Sequence, residues 1–439
     1  MNKTFHIKTF GCQMNEHDSE TLAGILENLG YAESTDKDSS DIVLINTCSV
    51  RDNADKRFFG TLGALKQEKV KNPQMVVAIC GCMMQQPHII ETIKKKYPWV
   101  DLIFGTHNIH EFPKLLTDSL NAKNKVIDVW EDGGDIVEGL PAKRLYPFKA
   151  LVNIMYGCNN FCTYCIVPYT RGRERSRHPE EILKEVTKLA ASGTKEITLL
   201  GQNVNSYGNG SGFGMDFADL IYRLNEIDGL ERIRFMTSHP KDLSDKLIQA
   251  YVDCDKLSNY IHLPVQSGST QVLNRMNRKY SRADYEEIID KLKTAVPEIA
   301  ITTDIIVGFP GETESDFMET INLVQKVQFD SAFTFLYSVR KGTPAEAYED
   351  QIPEDVKHER FNRLVNCLNE ITAKKNLACE GKIEKVLVES ISKKNTQLYS
   401  GKTESMKTVN FPGKEEMIGN IVQVKITKGQ TFSLTGEPV

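Results

Sequence analysis

The stretch "GCNNFCTYC", residues 157–165, places three cysteines close together, at Cys158, Cys162 and Cys165. It follows a predicted strand, so the three thiols lie where the sites of (β/α) barrels lie, at the carboxyl ends of strands. Thiolates are the soft ligands that iron–sulfur clusters take. Three ligands for four irons leave one iron open to a small molecule, as in catalytic metal sites. The alternative, a zinc site completed by a distant ligand, is weaker because zinc sites usually contain C-x2-C pairs.

The segment around this stretch predicts a barrel of six strand–helix units. Amphipathic helices, such as 179–193 and 284–296, separate the strands, and the polar stretch 352–376 predicts a closing helix. The pattern indicates a partial (β/α)6 barrel over 149–373. The six predicted strands are 150–156, 196–201, 232–237, 260–265, 300–308 and 330–337.

The first 120 residues predict a smaller α/β domain with a parallel sheet. A helix is predicted over 18–31, with Asp18 as its cap and Gly30 at its end. Strands are predicted at 5–10, 41–47, 74–80 and 99–105.

Three cysteines of this domain, Cys12, Cys48 and Cys82, each follow the end of a predicted strand. Because the carboxyl ends of parallel strands meet at one edge, we expect a second three-thiol set there. The alternative is three unrelated buried cysteines. Cys82 is preferred to Cys80, because Cys80 falls inside the apolar strand. The remaining cysteines are predicted to be structural: Cys254, Cys367 and Cys379.

The other segments differ in character. Residues 121–148 carry Gly, Pro and charge without periodicity, which predicts a linker. Residues 374–439 alternate like short strands with glycine turns, which predicts a small all-β barrel. This last segment has 11 Lys against 7 Glu, so it is basic within a chain of net charge −5.

Composition excludes several classes of protein. Among the 439 residues no apolar run is long enough for a transmembrane helix, and the start does not resemble a signal peptide. The ten cysteines then predict metal ligands and buried thiols in a reducing compartment rather than disulfides. We therefore expect a cytoplasmic protein with no membrane contact.

"CNNFCTYC" resembles the signature of radical S-adenosylmethionine (SAM) enzymes, with Tyr164 as its aromatic residue. With the N-terminal cysteines, the basic barrel and motifs such as "NTCSVR", "GQNVNSYG" and "DIIVGFPGET", the whole chain resembles the methylthiotransferase family. The resemblance implies a flavodoxin-like N-terminal domain (1–120) holding an auxiliary 4Fe–4S cluster, a radical-SAM domain (149–373) with a second one, and an RNA-binding TRAM domain (374–439). It also implies two SAM molecules per turnover.

Polar residues at the ends of the barrel strands are candidates for contact with SAM. Strand ends are where such ligands are oriented, and the resemblance supports the same positions. The candidates are Tyr164, Gln202, Ser238, Gln266 and Asp304. Basic residues beside the same rim are candidates for contact with RNA, because arginine suits phosphate. These are Arg171, Arg173, Arg175, Arg340 and Lys341.

The resemblance predicts an enzyme that inserts a methylthio group at carbon 2 of N(6)-prenylated adenosine, at position 37 of a tRNA anticodon stem-loop. No catalytic side chain is assigned beyond the cluster ligands. An electron donor such as flavodoxin or ferredoxin and a sulfur or iron–sulfur supply protein are expected partners. Two alternatives stay open: a sister enzyme acting on a ribosomal-protein aspartate or on threonylcarbamoyl adenosine, and a non-catalytic RNA-binding iron–sulfur scaffold or sensor.

Overall fold

The computed structural model describes residues 3–36, 40–49, 52–121 and 125–439. Val50 and Arg51 of "NTCSVR", and residues 122–124 of the predicted linker, lie outside these ranges. Three structural units follow one another along the chain, as the sequence predicts.

The N-terminal unit is a parallel sheet in the order β2-β1-β3-β4-β5-β6. The first five strands give the flavodoxin-like order. The strands are β1 Thr4–Thr9, β2 Ala32–Glu33, β3 Ile42–Thr47, β4 Val76–Gly81, β5 Leu102–Phe104 and β6 Val126–Asp128. The helices are α1 Gln13–Asn28, α2 Asp52–Lys71, α3 Pro87–Lys96 and α4 Phe112–Asn121. Continuous apolar runs such as β3 and β4 are buried along their whole length, because apolar clusters cover both faces of the sheet.

Two details of this unit differ from the sequence prediction. Helix α1 begins at Gln13, with Cys12 as its N-cap residue, so the prediction that Asp18 caps the helix was wrong. Asp18 lies inside the helix and is buried, because it pairs with an arginine of the central unit. Part of the predicted linker forms strand β6 instead, since Val126 and Ile127 pair with β5.

The central unit is the predicted partial barrel. Six of its strands pair as two parallel sheets, β11-β10-β7 and β12-β13-β14, joined by a bridge from Ile233 to Leu257, and β8 and β9 form a separate antiparallel pair. In the described chain no pairing joins β7 to β14. The strands are β7 Lys149–Asn153, β8 Met155–Tyr156, β9 Arg175–Ser176, β10 Glu196–Leu200, β11 Arg232–Phe235, β12 Tyr260–His262, β13 Ala300–Val307 and β14 Ser331–Leu336. The helices are α5 Val167–Thr170, α6 Pro179–Ala191, α7 Phe217–Asn225, α8 Asp245–Asp253, α9 Thr270–Arg275, α10 Arg282–Ala295, α11 Glu314–Val327 and α12 Glu354–Leu377.

The C-terminal unit is a closed five-stranded barrel in the order β15-β16-β17-β19-β18. Its strands are β15 Ile383–Ile391, β16 Tyr399–Lys402, β17 Thr408–Phe411, β18 Ile421–Gly429 and β19 Leu434–Pro438. Inward-facing side chains such as Val386, Phe411 and Val424 fill it. Helix α12 continues to Leu377, past the predicted boundary at 373/374.

This barrel docks at the amino ends of β10 and β11. Glu196 begins β10 and accepts from Arg232 at 3.2 Å and from Arg234 at 2.9 Å, all three buried. Arg234 also donates to the carbonyls of Thr403 and Glu404, both at 2.7 Å. The C-terminal barrel is therefore fixed to the end of the central unit opposite its cysteines.

Candidate functional site

The three N-terminal cysteines meet at the carboxyl ends of their strands, as predicted from their positions just after those strands. Cys12 precedes α1, Cys48 directly follows β3, and Cys82 begins a short 3-10 turn, Cys82–Gln85, after β4. The Oδ1 of Asn15 lies 3.9 Å from the Sγ atoms of both Cys12 and Cys82. Gly11 has φ +123°, and a Cβ placed on it would lie 2.9 Å from Cys48 Sγ. Only a glycine leaves room for this approach.

Arg171 of the central unit reaches into this set. Its Nε donates to Cys82 Sγ at 3.2 Å, and its Nη2 donates to Asn15 Oδ1 at 2.9 Å and to Asp18 Oδ2 at 2.7 Å. Arg171 is only 4% exposed. The predicted contact with RNA is therefore wrong for Arg171, because its guanidinium is enclosed against the N-terminal thiols.

The second set, Cys158, Cys162 and Cys165, lies in the loop between β8 and α5. Two backbone bonds fold the loop: the Cys158 N–H donates to the carbonyl of Gly172 at 3.1 Å, and the Cys165 N–H donates to that of Cys162 at 2.9 Å. Gly157 has φ +80° and backs onto the backbone at Arg173, where no Cβ would fit. The sequence therefore curls around its thiols rather than continuing β8.

A second buried arginine touches this loop. Arg278 Nη1 lies 3.5 Å from Cys162 Sγ, while its Nη2 donates to the carbonyl of Pro264 at 2.9 Å and its Nε to the hydroxyl of Tyr280 at 2.9 Å. Each three-thiol set thus has one enclosed guanidinium against a sulfur atom. Guanidinium N–H groups stabilise negative charge on sulfur.

Burial controls the protonation of the thiols. Burial raises the pKa of Cys82 to about 11, of Cys158 to about 11 and of Cys165 to about 12. Neighbouring thiols of the same set add to each increase in pKa. Without a bound cation these thiols hold their protons at neutral pH.

The donor set fits an iron–sulfur cluster at both places. In the described chain no disulfide joins any of the ten cysteines, so six thiols are available in two sets of three. Within the described ranges, no three His, Cys, Asp or Glu side chains converge on a single metal ion. That finding does not conflict with a cluster, because each thiolate then binds a different iron.

The predicted SAM-facing residues lie around the carboxyl ends of the barrel strands. Gln202 Oε1 accepts from the Gly157 N–H, which ties it to the cysteine loop. The Gln266 N–H donates to the carbonyl of Asp304 at 2.9 Å, and Asp304 Oδ1 lies 3.5 Å from His262 Nε2. Tyr164 packs edge-on against Phe309, with ring centroids 6.4 Å apart. Orientation of SAM by these side chains stays a prediction.

Several buried polar atoms at this rim have unused hydrogen-bonding capacity, which suits a polar ligand. Among the residues that the structure describes, the buried Ser238 Oγ, Asn160 Oδ1 and Asn203 Oδ1 have no hydrogen-bond partner. Such atoms cost free energy unless something binds them. Beside them, Thr237 and Gln266 adopt positive φ values of 68° and 71°. Backbone strain of this kind is characteristic of ligand sites.

The other predicted RNA contacts are dispersed. Arg173 and Lys341 are exposed, with Arg173 4.3 Å above the Phe161 ring. Arg175 donates to the carbonyl of Gly134 at 2.8 Å, so its guanidinium is already bound to the segment that follows β6. Arg340 Nη1 donates to the carbonyl of Ser49, the residue after Cys48, and its charge also acts on Cys165. Arg340 of the central unit therefore contacts the segment that carries Cys48.

Sequence reasoning did not identify Asn15, Asp18 or Arg278 as parts of these sites. The signal for Asn15 and Asp18 is a repeated spacing of three in "CQMNEHD": Asn15 comes three residues after Cys12, and Asp18 three residues after Asn15. This spacing puts two polar residues on the buried side of α1. No comparable signal marks Arg278, because its contact with Cys162 spans 116 residues.

Comparison with known families divides the chain into the same three units. Residues 4–105 match the uncharacterized protein family UPF0004, residues 152–324 the radical SAM superfamily, and residues 377–439 the TRAM domain. Of the helices described, none has both the length and the apolar character needed to traverse a bilayer.

Several relatives match along the full length. A tRNA-2-methylthio-N(6)-dimethylallyladenosine synthase of Alkaliphilus oremlandii is 56% identical over 438 residues, 100% of this chain and 93% of the relative. Enzymes of the same name are 57% identical in Clostridium botulinum, covering 99% of this chain and 97% of the relative, and 55% identical in Clostridioides difficile, covering 99% and 91%.

Solved structures share the fold at low identity. The radical SAM methyltransferase TsrM of Kitasatospora setae superposes with a TM-score of 0.57 at 11% identity, covering 89% of this chain and 79% of that one. The cobalamin-dependent enzyme OxsB gives 0.54 at 15% identity, covering 85% and 56%.

Proposed function

Because this chain belongs to the tRNA-2-methylthio-N(6)-dimethylallyladenosine synthases, a family of radical-SAM methylthiotransferases, we propose that its two cysteine sets divide that reaction between them. The protein is a radical-SAM enzyme that methylthiolates N(6)-dimethylallyladenosine in tRNA and uses SAM and 4Fe–4S clusters. The family predicted from the sequence is thus confirmed, and the relatives favour the prenylated adenosine over an aspartate or threonylcarbamoyl adenosine.

The proposal is carried by the closeness of the two sets. Arg171 connects the loop of the central cysteines to Cys82, and Arg340 of the central unit donates to the carbonyl of Ser49, the residue after Cys48. A single substrate base held between the domains could thus meet both sets. A scaffold or sensor would not require this convergence.

We assign Cys158, Cys162 and Cys165 to the SAM-cleaving cluster and Cys12, Cys48 and Cys82 to the auxiliary cluster. When bound, the first would supply the electron that cleaves SAM and the second would hold the sulfur that becomes the methylthio group. The protein's own residues position the reactants. The open hydrogen-bonding capacity of Ser238, and the Gln266 and Asp304 side chains, suits the polar groups of SAM.

The target base must leave its stack to reach the two cysteine sets, in which Cys48, Cys82, Cys158 and Cys162 are buried. We infer that the anticodon stem-loop presents adenosine 37 to this interface, with exposed Arg173 and Lys341 near the phosphates. The basic TRAM barrel would hold the RNA backbone elsewhere, since Glu196 and Arg234 fix it at the amino ends of the strands. RNA-binding modules of this kind act largely through charge and shape.

We further infer the supporting partners. An electron donor such as flavodoxin or ferredoxin and a sulfur or iron–sulfur supply protein are required by the chemistry. A cysteine-rich chain without a disulfide among its described residues fits a reducing, cytoplasmic location.

Nucleoside mass spectrometry of tRNA tests the substrate. A deletion strain should accumulate the prenylated adenosine without its methylthio group, and expression of this chain should restore the modification. Unchanged methylthiolation in the deletion strain, or failure of the active chain to restore it, would contradict the proposed substrate.

Two matched sets of variants test the division of labour. Replacing Cys12, Cys48 and Cys82 with Ala should remove about half of the iron and leave reductive SAM cleavage to 5′-deoxyadenosine, because the other thiols still bind iron. Replacing Cys158, Cys162 and Cys165 should remove the other half together with SAM cleavage. Loss of all iron in either triple variant would refute the assignment of two independent sites.

A further inference from the structure

We propose that Arg171 is the positioning residue of the auxiliary site: its hydrogen bond to Cys82 fixes that ligand and raises the reduction potential of the cluster that Cys12, Cys48 and Cys82 hold. This inference rests on the proposed function, since it requires a cluster at those three cysteines. It assigns a role to an arginine of the central domain in a site that is otherwise built by the N-terminal domain.

Hydrogen bonds fix the Arg171 side chain at one end and its backbone at the other. The three hydrogen bonds of its guanidinium, at 3.2 Å to Cys82 Sγ, 2.9 Å to Asn15 Oδ1 and 2.7 Å to Asp18 Oδ2, all reach the N-terminal domain. Its own segment is anchored in the central unit, because the Arg171 N–H donates to the carbonyl of Val167 at 2.8 Å. A guanidinium held on three sides cannot swing away to contact RNA.

The contact with sulfur is what gives Arg171 a function beyond packing. Hydrogen bonds to cysteine sulfur and nearby positive charge stabilise the more negative, reduced state of a cluster. The effect is large where water is excluded, and Arg171 and Asp18 are both only 4% exposed.

Asp18 opposes the effect of Arg171 on the reduction potential of the cluster. Its carboxylate forms an enclosed ion pair with Arg171, with both side chains almost inaccessible to solvent. The carboxylate charge opposes that of the guanidinium, while the Nε–H remains directed at Cys82. Removing the arginine and removing the carboxylate should therefore shift the potential in opposite directions.

The test isolates the auxiliary cluster in the full-length chain. Cys158, Cys162 and Cys165 are replaced with Ala, the protein is reconstituted anaerobically with iron and sulfide, and the cluster is titrated potentiometrically with detection by electron paramagnetic resonance. Two variants are compared in this background, Arg171→Met and Asp18→Asn. Arg223→Met is the matched control, because Arg223 is a half-exposed arginine of α7 that forms an ion pair with Glu180 at 3.4 Å.

Arg171→Met should shift the midpoint potential to a more negative value, since the N–H donor and the positive charge are both lost. Asp18→Asn should shift it to a more positive value, since an uncompensated guanidinium then faces Cys82. Arg223→Met should leave it unchanged. A role confined to folding would not produce shifts of opposite sign.

Equal potentials in all variants, or shifts of the same sign for Arg171→Met and Asp18→Asn, would overturn the proposal. If Arg171→Met does not fold or load iron, Asp18→Asn decides alone: a positive shift supports the proposal and no shift refutes it. Failure of the parent background itself to bind iron would instead refute the cysteine assignment under the proposed function.

Discussion

Arg278 Nη1 lies 3.5 Å from Cys162 Sγ, and the rest of its guanidinium is held by the Pro264 carbonyl and the Tyr280 hydroxyl. Among the residues that the structure describes, no carboxylate lies within ion-pair distance of Arg278. Its charge therefore faces the SAM-cleaving cysteines without the compensation that Asp18 gives to Arg171.

Arg278→Met should make the SAM-cleaving cluster harder to reduce, because a desolvated positive charge next to its ligand is removed. Formation of 5′-deoxyadenosine should slow with a weak reductant and recover partly with a stronger one. The measurement is the cleavage rate at two reductant potentials, with Arg223→Met as the control. Equal slowing with both reductants would indicate a structural defect instead.

Gly11→Ala should remove the auxiliary cluster and spare the other one. Its Cβ would lie 2.7 Å from Cys48 Cβ and 2.9 Å from Cys48 Sγ, so Cys48 would have to move. Iron content should fall by about half, with SAM cleavage retained.

Gly30→Ala is the matched control for that variant. Gly30 also has a positive φ, +86°, but a Cβ there has no atom within 4 Å. It shares the backbone strain without the collision. If both variants lose the same amount of iron, backbone strain rather than contact with Cys48 is the cause.

The cysteine positions could be predicted because each cysteine comes just after a strand. Cys12, Cys48 and Cys82 follow β1, β3 and β4, and parallel pairing aligns the ends of these strands whatever the helices between them do. Two strands of the same sheet could not be predicted. Strand β2 is two exposed residues, and β6 has three half-buried residues after a polar stretch, so neither shows a buried apolar run.

The polar contacts within the site depend on tertiary structure. "DSETLAG" has the pattern of a helix start at Asp18, and local sequence gives no sign that this carboxylate is needed by Arg171, 153 residues away. Arg171 itself lies in a run of four arginines that resembles a phosphate-binding segment. Which of the four turns inward depends on how two domains dock, and pattern analysis does not contain that information.

Uptake of iron by the apoprotein should increase with pH. Ligand thiols must lose their protons, and burial raises the pKa of Cys82 and Cys158 to about 11 and of Cys165 to about 12. A raised pKa means that binding releases protons that the free thiols still hold at neutral pH, so a lower proton concentration favours binding. The measurement is iron bound per chain after anaerobic reconstitution between about pH 7 and pH 9.

Proton release in weakly buffered solution provides an independent check on this prediction. Acidification should accompany loading of the full chain and should decrease when Cys158, Cys162 and Cys165 are replaced with Ala. Iron uptake that is independent of pH, with no acidification, would show that the thiols are already ionised in the apoprotein.

Glu196→Ala should release the C-terminal barrel from the central unit while leaving SAM cleavage intact. The variant leaves Arg232 and Arg234 buried without their shared carboxylate, which costs about 3–5 kcal/mol for a buried ion pair. Arg234 also donates to the carbonyls of Thr403 and Glu404, so the contact weakens at the surface that joins the two units.

The expected results of Glu196→Ala are a lower free energy of unfolding and faster proteolysis between α12 and β15. tRNA binding should weaken, while 5′-deoxyadenosine formation persists because the cysteines lie at the opposite strand ends.

Glu231→Ala is the control, since the ion pair of Glu231 with Lys195 at 3.3 Å is partly exposed and worth about 0–1 kcal/mol. Equal losses of stability in the two variants would show that Glu196 does not anchor the barrel.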